Sequence, residues 1–186
     1  MPILKNIERV FNYQANTVTA PPFPINLPAG GTVSLATLAI PVRHAAYLVR
    51  AVINWGATFT PLASQTPLTA PGFAQVQFQI VRDGTPIELV TQTAGQTGFG
   101  IGLAFTTATS TYEIAAMQIL GTGSLCSCVG NPISTFELRA TNIILQAPLN
   151  ITGTVSTAIG TPAAAVGLVS LTIEEIEPCR AEPDKA

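Results

Sequence analysis

Charge is what this sequence most lacks. Of its 186 residues, 10% are Asp, Glu, Lys or Arg, whereas about 25% is usual for a soluble domain. Only eight charged residues stand between Val10 and Thr172. A soluble monomer normally uses Lys and Glu to stay soluble and to block the edges of its sheets. We therefore expect partners to cover the exposed faces, or the protein to act where association is its purpose.

Other absences exclude whole classes of protein. The net charge of −2 provides no basic surface, so we expect no nucleic-acid partner. No run of about 18 apolar residues occurs, and we expect no membrane insertion. The first nine residues, MPILKNIER, place charges where a secretory signal needs an apolar run, so we expect no signal peptide.

Catalytic residue types are equally scarce. The only histidine is His44, and the aspartates are Asp83, in an Asp-Gly turn sequence, and Asp184, near the C-terminus. No strand-to-helix nucleophile sequence accompanies them, and no helix follows the glycine-rich stretch 98–102 to bind phosphate. We predict a non-enzymatic protein with no catalytic residue, no cofactor and no metal site.

The three cysteines leave an odd one after any single bridge. They are Cys126, Cys128 and Cys179. The Cys-Ser-Cys spacing is too tight for a zinc knuckle, which makes metal binding the weakest interpretation. Buried or free thiols and a bridge from Cys179 to Cys126 or Cys128, within or between subunits, are the two alternatives that the residues leave open.

The rest of the chain has the pattern of an all-β protein. Val, Ile, Thr and Phe recur in short runs separated by Gly and Pro. The segment VQFQI at 76–80 alternates strictly and predicts one buried face and one face of amides. The following Asp83-Gly84 predicts a hairpin turn. Other strands are predicted at 32–40, 46–55, 87–93, 100–106, 111–120, 135–145, 149–157 and 165–176, which is the spacing of sandwiches and barrels.

Two segments are predicted to lie outside this body. Residues 1–22 form an N-terminal arm, too apolar for a solvated tail because it carries Ile3, Ile7, Val10, Phe11 and Tyr13. A proline-rich spacer follows at 23–30 and stiffens the connection. The folded domain is predicted at 31–177 and a polar tail at 178–186.

Four segments together resemble the tumour-necrosis-factor-like jelly rolls of bacterial endospore surfaces. They are LPAGGTV at 27–33, FQIVRDG at 78–84, FELRATN at 136–142 and LVSLTIEEI at 168–176. That group includes the jelly-roll domains of exosporium glycoproteins and the subunits of endospore appendage fibres. The resemblance implies a single jelly-roll sandwich of about 8–9 antiparallel strands. It also implies a spore or cell-surface location, outside the cell, and a spore-surface anchoring protein as a partner.

The appendage subunits imply how such a chain assembles. In that family an N-terminal arm reaches into a neighbouring subunit and is locked by its own cysteines; residues 1–22 here contain none. We therefore predict a homo-oligomeric structural subunit whose arm is donated to a neighbour. The rivals are a compact trimer that presents loops 56–72 and 121–132 to a ligand, and a viral capsid or decoration protein.

The cysteine hypothesis has a direct test. Because Cys179 closely follows the last predicted strand, we expect mass spectrometry of unreduced protein to find Cys179 bridged to Cys126 or Cys128. Three free thiols in unreduced material would refute this prediction.

Overall fold

A computed structural model describes residues 7–16, 18–19, 23–41, 46–62, 66–97, 101–122 and 133–176. Within these residues all regular structure is β. The strands are β1 (Ile7–Asn16), β2 (Ile25–Asn26), β3 (Val33–Pro41), β4 (Ala46–Pro61), β5 (Phe73–Arg82), β6 (Thr85–Gly95), β7 (Thr109–Thr122), β8 (Ile133–Gln146), β9 (Leu149–Thr152), β10 (Val155–Ala158) and β11 (Gly160–Ile176).

Eight long strands form two antiparallel sheets. Sheet 1 has the order β1-β11-β4-β7, with the short β2 also paired to β11, and sheet 2 has the order β3-β8-β5-β6. Along the chain the long strands alternate between the sheets, except that β5 and β6 are neighbours in sheet 2. This is the connectivity of an eight-stranded double-sheet jelly roll. The predicted all-β jelly-roll sandwich is confirmed, and β9 and β10 add a separate hairpin.

The core lies between the inner faces of the two sheets. Val76, Phe78 and Ile80 on β5 are fully buried, as the alternation predicts. Phe78 packs edge-on against Trp55 of β4, with ring centroids 5.8 Å apart. The indole Nε1 of Trp55 donates a hydrogen bond of 2.7 Å to Oε1 of Gln92 on β6. The sandwich thus has an aromatic centre whose one polar group is satisfied.

The hairpin between β5 and β6 has the predicted two-residue turn. Asp83 and Gly84 both have positive φ, at 48° and 83°, which is the requirement of a type I′ turn. The Asp83 carboxylate then accepts hydrogen bonds of 2.7 Å from the Ser134 hydroxyl and the Thr135 amide of β8. The turn is therefore attached to a strand that is distant in sequence.

The sandwich has two different ends. At the terminal end, β1 begins and β11 finishes, because Ile7 pairs with Ile176, which in turn lies opposite Ala46 at the start of β4. The Asp83-Gly84 turn lies at this end as well. At the loop end, β4 finishes at Pro61, and the segments 66–72, 101–108 and 147–159 are joined by backbone hydrogen bonds and two isolated bridges.

Two predicted strands are wrong. In the described part of 100–106, residues 101–103 form a turn and only Ala104 makes a bridge, to Pro67. Ile101, Leu103 and Phe105 alternate as in a strand, but only Phe105 is buried and the other two are exposed. Segment 149–157 is a hairpin, because Gly153 adopts a positive φ of 64° between β9 and β10.

Several sequence predictions fall outside the described residues. These are Ile3, Cys126, Cys128 and Cys179, together with the tail 178–186. The described residues that flank the cysteine segments, Thr122, Ile133 and Ile176, all lie at the terminal end. The cysteine bridge stays a prediction.

The central position of Phe78 has a measurable consequence. We expect Phe78→Ala to lower the free energy of unfolding by about 3–5 kcal/mol, because it leaves a cavity beside Trp55. Leu89→Ala is the matched control, since Leu89 pairs with Gln79 on the outer face of the same sheet and is 54% exposed; its effect should stay within about 0.5 kcal/mol. Urea titration measures both, and equal losses would contradict this description of the core.

Candidate assembly surfaces

The first strand belongs to the sandwich and does not stand apart from it. β1 pairs antiparallel with β11 of its own chain, from Ile7 opposite Ile176 to Asn16 opposite Val169. Phe11 packs against the core, whereas Val10 is exposed. The predicted domain start at residue 31 is therefore corrected: the jelly roll includes β1, the first of its eight long strands.

A buried ion pair fixes β1 in this position. The carboxylate of Glu175 on β11 is completely buried and accepts a hydrogen bond from Nε of Arg9 on β1, whose side chain is 27% exposed. The hydrogen bond to Glu175 holds the pKa of Arg9 above its ordinary value. Oε1 of Glu175 has no hydrogen-bond partner among the described residues. Arg9 therefore supplies the charge compensation that the buried carboxylate needs.

The described part of the chain between β1 and β2, residues 18–19 and 23–24, lies over the outer face of sheet 1 and is called the crossing segment. Its Thr19 carbonyl accepts a hydrogen bond of 3.1 Å from Nδ2 of Asn54 on β4. Phe23 contacts Tyr112 of β7 edge-on, with ring centroids 5.8 Å apart. Two glycines make room beneath it: a Cβ added to Gly167 would lie 2.6 Å from the Phe23 ring, and one added to Gly56 would lie 3.3 Å from it.

These contacts correct the predicted arm. Residues 1–22 were expected to pack on a neighbouring subunit, and the proline-rich spacer at 23–30 to stay clear of the sheet. In the structure, Ile7–Asn16 pairs within its own chain, Ile25–Asn26 pairs with β11, and Leu27 is buried. The prolines limit the spacer to an edge position, which β2 occupies. Donation of β1 between subunits stays a prediction.

The outer faces of the two sheets differ in chemistry. On sheet 2, the amides of β5 satisfy one another and their neighbours: Gln77 accepts hydrogen bonds of 2.8 Å from both Gln79 and Asn142, and Gln79 accepts one of 3.0 Å from Arg139. Large apolar side chains are exposed on both faces. Those on sheet 1 are Val10 on β1, Val52 on β4, and Tyr112, Ile114 and Leu120 on β7, and those on sheet 2 are Leu89, Ile133 and Ile144.

A shallow groove adds to the outer face of sheet 1. It encloses about 470 Å³ and runs beside the crossing segment. Its lining is small or aromatic and uncharged: Phe23, Asn26, Gly56, Thr58, Tyr112, Ala163, Ala164 and Ala165. The groove can accept apolar groups but provides no charged partner for an ionic ligand.

Residues that could form other kinds of site are not brought together. Among the described residues, no three His, Cys, Asp or Glu side chains are close enough to hold a metal ion. Glu88 and Glu137 lie on β6 and β8 with β5 between them, and Glu113 lies in the other sheet. In the described part of the chain, no helix is long and apolar enough to cross a membrane.

The two segments expected to present a ligand, 56–72 and 121–132, start at opposite ends of β4. Residues 56–61 of the first belong to β4 itself, and the described residues of the second, Gly121 and Thr122, pair with Tyr47 and Ala46 at its start. Strand β4 spans about 50 Å at about 3.3 Å per residue. The described residues of the two segments are therefore far apart, and 123–132 fall outside the described residues.

Comparison with known proteins finds no matching family model and no matching curated protein. Solved structures that match include three from a virus. A chain in a structure of the Gx strain of infectious bursal disease virus is 15% identical with a TM-score of 0.35, and the match covers 92% of this chain and 37% of that one. A chain of the VP2 subviral particle of the same virus is 12% identical with a TM-score of 0.30, covering 91% and 37%.

A third match, from the Gt strain of infectious bursal disease virus, is 16% identical with a TM-score of 0.27 and covers 92% of this chain and 39% of that one. This chain thus spans little more than a third of the viral chains that it matches. None of the three is an endospore protein, and likeness this low carries no conclusion about function.

The buried ion pair predicts unequal effects of two arginine substitutions. Arg9→Met leaves the Glu175 carboxylate buried without a partner, and we expect a loss of about 3–5 kcal/mol in the free energy of unfolding. The control is Arg50→Met, which removes the 2.9 Å ion pair with Glu174 on the outer face, where exposed pairs contribute at most about 1 kcal/mol.

Urea unfolding of both variants, and of Arg9→Met combined with Glu175→Leu, completes the test. The double variant should recover most of the loss, because it removes the unpaired charge as well. Equal losses for Arg9→Met and Arg50→Met would show that β1 does not depend on the buried pair.

Proposed function

We propose that the protein is a structural subunit that assembles with copies of itself, and that the outer face of sheet 1 is a contact surface between subunits. The observation that carries this proposal is the grouping of exposed apolar side chains on adjacent strands of sheet 1, which are Val52, Tyr112, Ile114 and Leu120. Sheet 2 exposes Leu89 and Ile144 as well, but β5 separates their strands and carries amides that are hydrogen-bonded to one another and to their neighbours.

The face is large enough for a stable contact. Four strands about 4.8 Å apart, the longest of them about 50 Å long, span roughly 900 Å². A standard interface uses about 800 Å² of each partner. Exposed apolar residues that are grouped on one face mark interaction surfaces. A second copy, which carries the same apolar residues, can cover them.

Two polar contacts on this face are already made within the subunit. Arg50 is bonded to Glu174, and Thr172 donates to Asn12 at 3.1 Å. Charges that are paired before association need no new partner in the interface, so covering them costs less than covering an isolated charge. The apolar side chains can then contribute at about 25 cal/mol per Å² removed from water.

The proposal is of a structural role and not of an enzyme. An extracellular fibre, a closed trimer and a shell are three forms that it can take. The double-sheet jelly roll serves viral capsid domains as well as other surface proteins, which supports the shell by analogy of fold alone. The endospore location rests on the resemblance of the four sequence segments. Electron microscopy of purified protein distinguishes the three forms.

The decisive substitution is a charge on the apolar face. Ile114 is 65% exposed on β7, so Ile114→Lys should leave the fold intact while placing an unpaired ammonium in the interface. We expect assemblies smaller than those of the wild type in sedimentation velocity. Leu89→Lys, on the outer face of sheet 2, is the matched control and should assemble normally.

Thermal unfolding of both variants checks that each is folded. Assembly that persists unchanged in folded Ile114→Lys would exclude the outer face of sheet 1 as the contact. A wild-type protein that stays monomeric at high concentration would overturn the proposed function itself.

A further inference from the structure

Charged residues are segregated along the long axis of the sandwich. No Asp, Glu, Lys or Arg occurs in residues 10–42, 51–81, 89–112 or 140–173. In the fold, all segments of the loop end come from these ranges, whereas Glu8, Arg9, Arg82, Asp83 and Glu175 lie toward the terminal end. Along sheet 1, the charged residue nearest the loop end is Glu113, opposite Trp55. Among the described residues, the loop end therefore carries no charged side chain.

The same end exposes large apolar side chains. They belong to three neighbouring segments and are Leu62, Ile101, Leu103, Ile151 and Val155. Such residues would be unremarkable if scattered singly, but here the segments that carry them are joined by backbone hydrogen bonds and contain no charged residue. Exposed apolar residues on neighbouring uncharged segments are typical of an interaction site.

The loop end is held together by backbone hydrogen bonds, so its surface is preformed. Leu68 donates to the Leu103 carbonyl at 2.9 Å and accepts from Gly102 at 2.7 Å, while Ala70 and Leu149 exchange hydrogen bonds of 2.8 and 3.0 Å. Asn150 adds a side-chain bond of 2.7 Å to the Pro67 carbonyl. A preformed surface loses little conformational entropy when a partner covers it.

The absence of charged residues at the loop end limits the kind of partner surface that can cover it. A charged surface placed against the loop end would be desolvated without any compensating charge, which is costly. This argument excludes the terminal end of another copy, where Arg82 and Asp83 are located, and thus a head-to-tail stack. The loop end of a second copy has no such cost and carries the same exposed apolar residues.

We propose that two subunits associate loop end to loop end, with Leu103 and Val155 in the contact. The contact is isologous, so each surface residue meets the other subunit's copy of the same surface. This inference rests on the proposed self-assembly and adds a second contact, distinct from the outer face of sheet 1. Together, a side contact and an end contact can extend an assembly in more than one direction.

A charge at the loop end tests the contact. In Leu103→Glu the carboxylate occurs twice in each isologous interface, and we expect the concentration for half-assembly to rise by more than about tenfold. Ile133→Glu is the matched control, because Ile133 is 69% exposed, like Leu103 at 63%, but lies at the terminal end. It should assemble as the wild type does. Normal assembly of folded Leu103→Glu would overturn the inference.

A photo-crosslinking residue at Val155 identifies the partner surface. Cross-links to peptides of 62–70, 101–104 or 149–158 of a second subunit support the proposal. Links to the outer face of sheet 1, or to residues near Arg82, overturn it. Binding of the wild type to neutral phosphatidylcholine vesicles that is lost in Leu103→Glu, with no subunit cross-link, would assign the surface to lipid.

The outcomes separate this inference from the proposed function. If Ile114→Lys reduces assembly and Leu103→Glu does not, subunits associate through the sheet face and the end contact is absent. If Leu103→Glu alone reduces assembly, the end contact stands and the sheet face is excluded. If the wild type forms no assembly at all, both proposals fail.

Discussion

The structure depends on both edges of β11 being paired. On one side β4 pairs with it from Gly160 to Ile176, and on the other side β2 pairs with Ala165 and Val166 and β1 pairs between Val169 and Ile176. Without them, the backbone amides and carbonyls of the longest strand would form an open edge; with them, the shorter β1 is the edge strand of sheet 1. Here β1, the first long strand, pairs with β11, the last one. The first and last long strands are therefore neighbours in sheet 1.

This closure constrains the rest of the surface. Because β1 and β2 lie on the same edge of β11, the chain between them has to leave the edge and return to it. It does so across the outer face of sheet 1, where Gly56 and Gly167 make room for Phe23. The groove beside Phe23 and the packing of Tyr112 follow from that path. The shape of the candidate assembly face is thus a consequence of how the edge is closed.

A second constraint comes from charge. Few charges are available, and several are committed inside the subunit: Arg9 to Glu175, and Arg50 to Glu174. The charges of the sheet 1 face are paired with each other, and the described segments of the loop end carry only apolar and neutral polar side chains. A monomer with such surfaces has little electrostatic protection against association. The same scarcity of surface charge favours association between copies of the protein.

The apolar residues of β1 show what a local sequence pattern can predict and what it cannot. Ile7, Val10, Phe11 and Tyr13 were recognised as too apolar for solvent, which is correct for Phe11, a residue packed against the core. The strand that pairs with these residues could not be predicted, because a strand has the same sequence pattern whether its partner strand is in the same chain or in another subunit. The strand predicted at 100–106, which includes the exposed Ile101 and Leu103, is wrong for a related reason. A strand pattern leads to a strand only if a second strand is there to pair with it.

The all-β class, the alternation of β5 and the Asp83-Gly84 turn could be predicted from the amino-acid sequence, because periodicity and turn geometry are local properties of a few consecutive residues. The scarcity of charge is likewise visible in the composition. That Arg9 compensates Glu175, 166 residues away, and that the uncharged segments meet at one end could be seen only in the folded chain. Those facts depend on which strands are neighbours, and strand pairing in this fold is set by contacts between residues that are far apart along the chain.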